Sequence, residues 1–341
     1  MKTIIVHHRS PHHAENSGYG RLVDYMDGAI TLTGQSRLPY RMAKFIGSLS
    51  KQHAGIYNSS SVHKELQLYS ELKHAKTPTL VHYLNAERDI RYLAKYYKRN
   101  HIKLVGTFHK PPEVLRKTIT DTRYLKRLDA AICVGSNQVD FIKNWLDLER
   151  VVYIPHGIDT HFFKPDISKK SQTPQILFVG QHLRDFETFN YCIPKILEQL
   201  PNADVIVALN QQFAEKINKH QRVKVYTEVN DMELRNLYQS SHLLFLPLKD
   251  VTACNSILEA MACGLPIITS QVGDMQTYLE GTGNMLCEND KPDSFIESCV
   301  ALLKDKEKQT CLGVASREKA LEFDWGMVAE QVRHFYKTVI K

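Results

Sequence analysis

The stretch "VTACNSILEAMACGLPIITS" (residues 251–270) is an apolar run with one carboxylate inside it. Residues 256–262 fit a helix of barely two turns, and Gly264 and Pro266 stop it beside a second apolar run, 265–270, of strand type. Upstream, "HLLFLP" (242–247) is another strand candidate. The loop from 248 therefore lies at a strand's C-terminal edge, where ligands bind in open parallel sheets. Asn255 or Ser256 is placed to cap the helix, whose first free N–H groups then form an anion site. Glu259 falls about one turn further on. A carboxylate there accepts two hydrogen bonds from a vicinal diol, so a phosphate with its ribose fits both features; a solvent-facing glutamate on a surface helix fits the spacing as well.

Outward from this segment, short apolar runs alternate with helical patterns, as in βα units building a parallel sheet. The first half offers strands at 3–6, 80–84, 103–108, 130–135 and 151–155, with helices at 19–27, 86–99 and 136–147, the last capped by Ser136 or Asn137. After a proline-containing linker, 155–174, the pattern restarts with strands at 175–180, 204–209, 223–227, 242–247 and 265–270. Helices are expected at 186–199, 211–219, 231–240, 256–262, 292–304 and 313–322. The expected fold class is α/β, with two Rossmann-like doubly wound domains facing across a cleft. A chain of 341 residues is long enough for two such cores.

Charge divides the chain. Residues 1–165 carry 25 Lys and Arg against 14 Asp and Glu, a net +11, whereas 166–341 carry 19 against 23, a net −4. A basic first half points to an anionic contact, either a phosphorylated molecule or a lipid surface, or else to solvated lysines. Nucleic acid is not expected, since aromatics do not interleave with the basic residues. The seven cysteines form no C-x-x-C pair and read as buried free thiols of a reducing compartment. No window approaches a membrane span, and the N-terminal apolar run is too short for a signal peptide, so a cytoplasmic protein is expected.

Further residues carry chemistry. His109, in "TFHKPP", follows a strand and precedes two stiffening prolines. Arg184 follows the strand "QILFVG"; it is suited to clamp phosphate oxygens bidentately, or to pair with Asp185 or Glu187 on the surface. Gly18 and Gly20 of "NSGYGRL" let backbone approach a ligand, although Val23 leaves G-x-G-x-x-G incomplete. His7, His8, His12 and His13 invite a metal reading, but no Cys or carboxylate completes a set and no D-x-D occurs, so no metal is expected.

Together, "VVYIPHGIDTHFFKP", "ILFVGQHLRDFETF" and "SILEAMACGLPIITSQVGD" resemble, in order and spacing, the retaining nucleotide-sugar glycosyltransferases of family 4, which have the GT-B fold. "FDWGMVAEQVRHFY" resembles that family's last helix, which crosses back to the first domain. The resemblance implies an N-terminal acceptor-side domain (1–165), a C-terminal donor domain (166–322) and a returning helix (323–341). It implies transfer of a sugar, with retention, from a nucleoside diphosphate donor to a hydroxyl acceptor, a glycan or a lipid-linked precursor, and the +11 charge of the first half suits an acceptor held at an anionic membrane face. No cofactor is implied beyond the nucleotide sugar. Glu259 takes the ribose-binding place of the family's Glu-x7-Glu element, while its first glutamate falls on Val251, with Asp250 the neighbouring substitute. Donor contacts extend over Asn255, Ser256 and Ile257, Arg184 meets the diphosphate, and His109 approaches the transferred sugar. The missing glutamate keeps open a second reading, a GT-B protein that binds sugar nucleotides without transferring them.

Overall fold

A computed structural model describes residues 2–7 and 16–340. The chain folds as two α/β units. One holds the first strand, Tyr19–Gly157 and the helix starting at Trp325; the other holds Ile158–Asp324 together with residues 16–18. The expected boundaries were 165 and 322; the contacts divide instead at Gly157 and Asp324.

In unit one, β1 (Lys2–Val6), β2 (Ile30–Leu32), β3 (Thr79–Tyr83), β4 (Ile102–Phe108), β5 (Ala130–Cys133) and β6 (Val151–Tyr153) form one sheet in the order β2-β1-β3-β4-β5-β6. In unit two, β7 (Gln175–Val179), β8 (Asp204–Ala208), β9 (Val223–Tyr226), β10 (Leu243–Leu246), β11 (Ile267–Ser270) and β12 (Met285–Cys287) are ordered β12-β11-β10-β7-β8-β9. Every pairing is parallel. Central strands such as β3, β10 and β11 are buried on both faces, which is why they read as unbroken apolar runs. Edge strand β9 is largely exposed and carries Lys224. The order of each sheet reverses once, between β1 and β3 and between β7 and β10, and those switch points open the crevices where open α/β sheets bind ligands.

Several expected helices differ in the structure. The pattern at 86–99 folds as two short helices, Ala86–Asp89 and Ala94–Tyr97. Buried Glu65 explains the break: its carboxylate accepts from the amides of Arg91, Tyr92 and Leu93 at 2.8, 2.9 and 3.1 Å and from the Tyr57 hydroxyl at 2.7 Å. A continuous helix would spend those same amides on its own carbonyls. The segments 19–27 and 211–219 are 3-10 turns, Tyr19–Tyr25 and Gln211–Lys216. Ser136 and Asn137 do not cap a helix either; they lie in a 3-10 turn, Ser136–Gln138, that leads into Val139–Leu146. Cys311 is exposed, so the expectation of buried thiols holds for six of the seven cysteines.

The final helix, Trp325–Ile340, belongs to unit one. Trp325 is buried over Gly157, where a Cβ would lie 2.3 Å from its indole, so glycine is required there. Further along, Arg333 reaches the Tyr25 carbonyl at 2.8 Å and Tyr336 meets His82 Nδ1 at 2.6 Å. His82 also bonds Thr107 at 2.7 Å, and burial, aided by nearby His109, lowers its pKa to about 3. Below pH 6.5 the unfolded state therefore takes a proton that the folded state refuses. This costs about 1.4 kcal/mol of stability per pH unit until about pH 3. His82→Gln is expected to lessen the acid slope by that amount while His109 keeps its own contribution, measured by urea titrations between pH 6.5 and 4.5. Tryptophan fluorescence reports on this unit, since Trp145 and Trp325 both belong to it.

Candidate functional site

In unit two the two strands that flank the switch point supply the site. After β7 the chain turns at Gly180 (φ 84°) and Leu183 (φ 56°) into Arg184. After β10 it runs through 248–254 into the helix Asn255–Ala262. The two loops are stitched together: the Lys249 amide donates to the Leu183 carbonyl and the Asp185 amide to the Pro247 carbonyl, both at 2.9 Å.

Arg184 is buried and makes no ion pair with Asp185 or Glu187, which disposes of the surface reading. Its Nε donates to the Val179 carbonyl at 2.9 Å, Nη1 to the His182 carbonyl at 3.0 Å and Nη2 to Ser256 Oγ at 3.0 Å. Asp185 instead caps the helix Phe186–Gln199 through Thr188. A guanidinium has five N–H donors, so two remain for a ligand. Gly180 permits this fold-over, because a Cβ there would lie 2.8 Å from Nη2.

Neither Asn255 nor Ser256 caps the helix that follows. Cys254 holds the N-cap position without a side-chain bond, and the Ser256 hydroxyl is turned toward Arg184. Ile257 is fully buried in the core and its amide donates to the Cys254 carbonyl at 3.1 Å, so donor contact is not open to it. The amides of Asn255 and Ser256 make no hydrogen bond among the described residues and are available to an anion. Glu259 is 3% exposed, not solvent-facing. Its Oε2 accepts from the Tyr238 hydroxyl at 2.7 Å and its Oε1 from the Ser17 hydroxyl at 2.5 Å. Burial raises its pKa; Asp231 adds to the rise, while the two hydroxyls and the Arg184 charge oppose it. Residues 16–18 are pinned here, since the Asn16 amide and side chain both donate to Asp231 at 2.7 and 2.9 Å and Gly18 turns at φ 89°.

Val251 packs into the core of unit two, and its amide donates to Asp250 Oδ1 at 2.7 Å. Gly273 presses on the same loop, where a Cβ would lie 1.8 Å from the Val251 carbonyl oxygen. Thr252 is buried with a hydroxyl that has no partner among the described residues.

In unit one, His109 follows β4. Its Nε2 donates to the Leu84 carbonyl at 2.6 Å, which leaves Nδ1 as a bare acceptor, and burial, reinforced by the Lys110 charge, lowers its pKa to about 4. Its amide donates to Glu87 Oε1 at 3.0 Å. Glu87 is buried, its pKa is raised by burial to about 7, and its Oε2 has no partner among the described residues, like Asn85 Oδ1 in the same loop. Tyr19 packs edge-on against His109 at 4.8 Å. Gly20 lies in the 3-10 turn that begins at Tyr19.

The candidates thus fall into two groups, one in each unit. Ser17, Tyr238, Thr252, Asn85 and Glu87 were missed in the sequence. Two carried a signal: Ser17, inside the "NSGYG" stretch, and Thr252, in the Asp-x-Thr-Ala pattern of "LKDVTACN". Among the described residues no group of three His, Cys, Asp or Glu side chains is disposed to hold a metal; His8, His12 and His13 lie outside the described residues.

Two doubly wound parallel-sheet units, with the last helix belonging to the first, make the GT-B architecture. Sucrose-phosphate synthase from Thermosynechococcus elongatus superposes with a TM-score of 0.72 at 16% identity, covering 99% of this chain and 98% of that one. Anabaena Alr3699/HepE, solved with UDP and glucose, superposes at 0.70 and 15%, covering 99% and 100%. Residues 173–305 match the family described as glycosyl transferases group 1. One component of human phosphatidylinositol N-acetylglucosaminyltransferase is 22% identical over 240 residues, 67% of this chain and 48% of its own length. The chain spans about half the length of the curated relatives it matches first. The chain has the GT-B fold, and its residues 173–305 are similar to glycosyl transferases group 1.

Gly273→Ala is expected to cost about 2 kcal/mol or more, because a methyl group must displace backbone at a positive φ. A fall in the thermal midpoint larger than that of Val251→Ala is the check.

Proposed function

We propose that this chain transfers a sugar from a nucleoside diphosphate donor to a hydroxyl acceptor with retention at the anomeric carbon. One observation carries the reading: a buried guanidinium and a buried carboxylate flank the free amides of one helix start, at the switch point of a sheet within the matched residues 173–305. The diphosphate rests on the amides of Asn255 and Ser256 and on the spare donors of Arg184, which stabilise the leaving charge. Glu259 holds the ribose hydroxyls. The Ser17 hydroxyl donates to the Glu259 oxygen that a ribose hydroxyl takes over. Asp250 and Gly18 border this donor site.

On the acceptor side, with Gly20 in the adjoining turn, His109 serves as a neutral hydrogen-bond acceptor for a sugar hydroxyl. A base with a pKa near 4 is a poor match for deprotonating an alcohol at neutral pH. The acceptor proton therefore passes to the departing diphosphate, on the face the leaving group vacates, and the protein contributes placement and charge stabilisation. The acceptor is a glycan or lipid-linked hydroxyl, and the protein works as a peripheral protein on the cytoplasmic face of an anionic membrane. The +11 charge of residues 1–165 and a relative named for a phosphatidylinositol substrate support the lipid side. No helix of the described residues is long and apolar enough to cross a membrane.

A donor-binding protein without transfer is the second reading, favoured by Val251 lying in the core where the family has a glutamate. Incubation with a panel of nucleotide sugars, following nucleotide release with and without acceptors, separates the two: binding without release supports the second. Arg184→Ala is expected to lower turnover by ~10²-fold. Glu259→Ala is expected to weaken nucleoside diphosphate binding by about tenfold or more, since a hydrogen bond to a charged group is worth roughly 1.5–3 kcal/mol. Ser17→Ala should instead tighten it severalfold, by removing a competitor worth about 1 kcal/mol. Isothermal titration with uridine, guanosine and adenosine diphosphates reads both; unchanged affinity in Glu259→Ala overturns the donor-site assignment.

A further inference from the structure

Helix α1 (Tyr40–Ser48) buries one side against α2 (Ser59–Leu72). Ala43 and Gly47 are buried, and a Cβ on Gly47 would stand 2.9 Å from the carbonyl carbon of Asn58, so the two helices approach closely there. The other side is bare. Met42, Phe45 and Leu49 are 54, 65 and 59% exposed, and Tyr40 at the start is 64% exposed. Spacings of three and four place Met42, Phe45 and Leu49 on one stripe, with Arg41 and Lys44 along its edge. Scattered exposed apolar residues are ordinary, but four large ones within ten positions are a surface with a use.

Charge identifies the occupant. Between Asp27 and Glu65 there is no acidic residue, while Arg37, Arg41, Lys44 and Lys51 are all exposed, with no side-chain hydrogen bond or ion pair among the described residues. Lys64, the remaining cation, is buried against Asp89. A second copy of this chain is a poor cover, because a two-fold contact would set these cations against themselves. A nucleic acid would engage the cations and leave the aliphatic and aromatic stripe in water. An anionic bilayer accepts both parts: the stripe enters the acyl boundary and the cations remain among the headgroups.

We propose that the outer face of α1 is the membrane-docking surface of this protein, seating Met42, Phe45 and Leu49 in an anionic leaflet with Arg41 and Lys44 on its headgroups. The inference rests on the lipid side of the proposed function and locates it on one helix. One short helix makes a reversible contact that weakens with salt.

The test is co-sedimentation of the full chain with phosphatidylglycerol–phosphatidylcholine vesicles and with pure phosphatidylcholine vesicles, at low and high salt. The wild type is expected to bind the anionic vesicles at least about tenfold better than the neutral ones. Arg41→Glu with Lys44→Glu should lower that binding by about tenfold or more, at roughly fivefold per lost cation. Met42→Ser, Phe45→Ser and Leu49→Ser together should abolish it. Thermal midpoints near wild type show that the variants fold. Wild type that ignores anionic vesicles overturns the proposal, as does binding that survives in the folded apolar variant. A concentration-dependent dimer lost in that variant, with no vesicle binding by the wild type, assigns the face to self-association and also overturns it. A nucleoside diphosphate thermal shift on the same samples keeps the two readings apart: vesicle binding without a shift leaves docking standing while the transferase falls, and a shift without vesicle binding does the reverse.

Discussion

The carboxylate of Glu259 lies inside the protein, and most of the chemistry proposed for unit two follows from that. An ionised carboxylate loses hydration on burial and must find hydrogen bonds or charge to replace it. Tyr238 supplies one bond from a neighbouring helix and Ser17 supplies another from the chain just beyond β1. Arg184 lowers the cost from the far side of Ser256. One of these supports is a short serine on a glycine-flanked segment, and a serine hydroxyl is chemically the group that a pentose presents. A buried carboxylate satisfied by hydroxyl groups rather than by an ion pair supports the proposed role, in which one hydroxyl is traded for another.

The same economy explains why the loops around it are rigid. Arg184 spends three donors on protein acceptors, two of them backbone carbonyls of its own turn, so its orientation is set before any ligand arrives. The turn that allows this needs two positive φ values, at Gly180 and Leu183. Leucine in that region stores strain, and such strain persists where surrounding structure over-determines the backbone, here through the paired loop after β10.

Ten of the twelve strands were legible in the sequence: eight because mostly buried parallel strands leave continuous apolar runs, and the edge strands β6 and β9 through their Val and Tyr residues. The two that escaped, β2 and β12, are three-residue edge strands, ITL and MLC, that lack the Val–Val–Tyr run which marked the equally short edge strand β6. Helix 86–99 was misread because its interruption is imposed by Glu65, a residue more than twenty positions away that no local pattern reveals. In the site, Glu259 and Arg184 were visible through their place after strands and through the ordered motifs. Tyr238 and Glu87 were not, since each acts through a contact set by the topology. The Ile257 assignment failed for a simpler reason: in a helix start only the amides without an intrahelical partner are free, and Ile257 already has Cys254.

The loop around His109 in unit one holds buried polar groups of a different kind. Burial holds His109 neutral far below its ordinary pKa and moves Glu87 upward to about 7, so near neutral pH this loop presents an Nδ1 lone pair, the Asn85 oxygen and a carboxyl that is partly protonated, beside the Lys110 cation. Two buried oxygens without partners among the described residues, Asn85 Oδ1 and Glu87 Oε2, beside a neutral imidazole suit a ligand rich in hydroxyl groups. The division of labour proposed for the two units therefore has a physical basis independent of any resemblance: amides and a guanidinium for phosphate in the second, neutral acceptors for a sugar or polyol in the first. Glu87 adds a constraint of its own. It also holds the His109 amide, so its protonation near neutral pH alters a contact that positions His109.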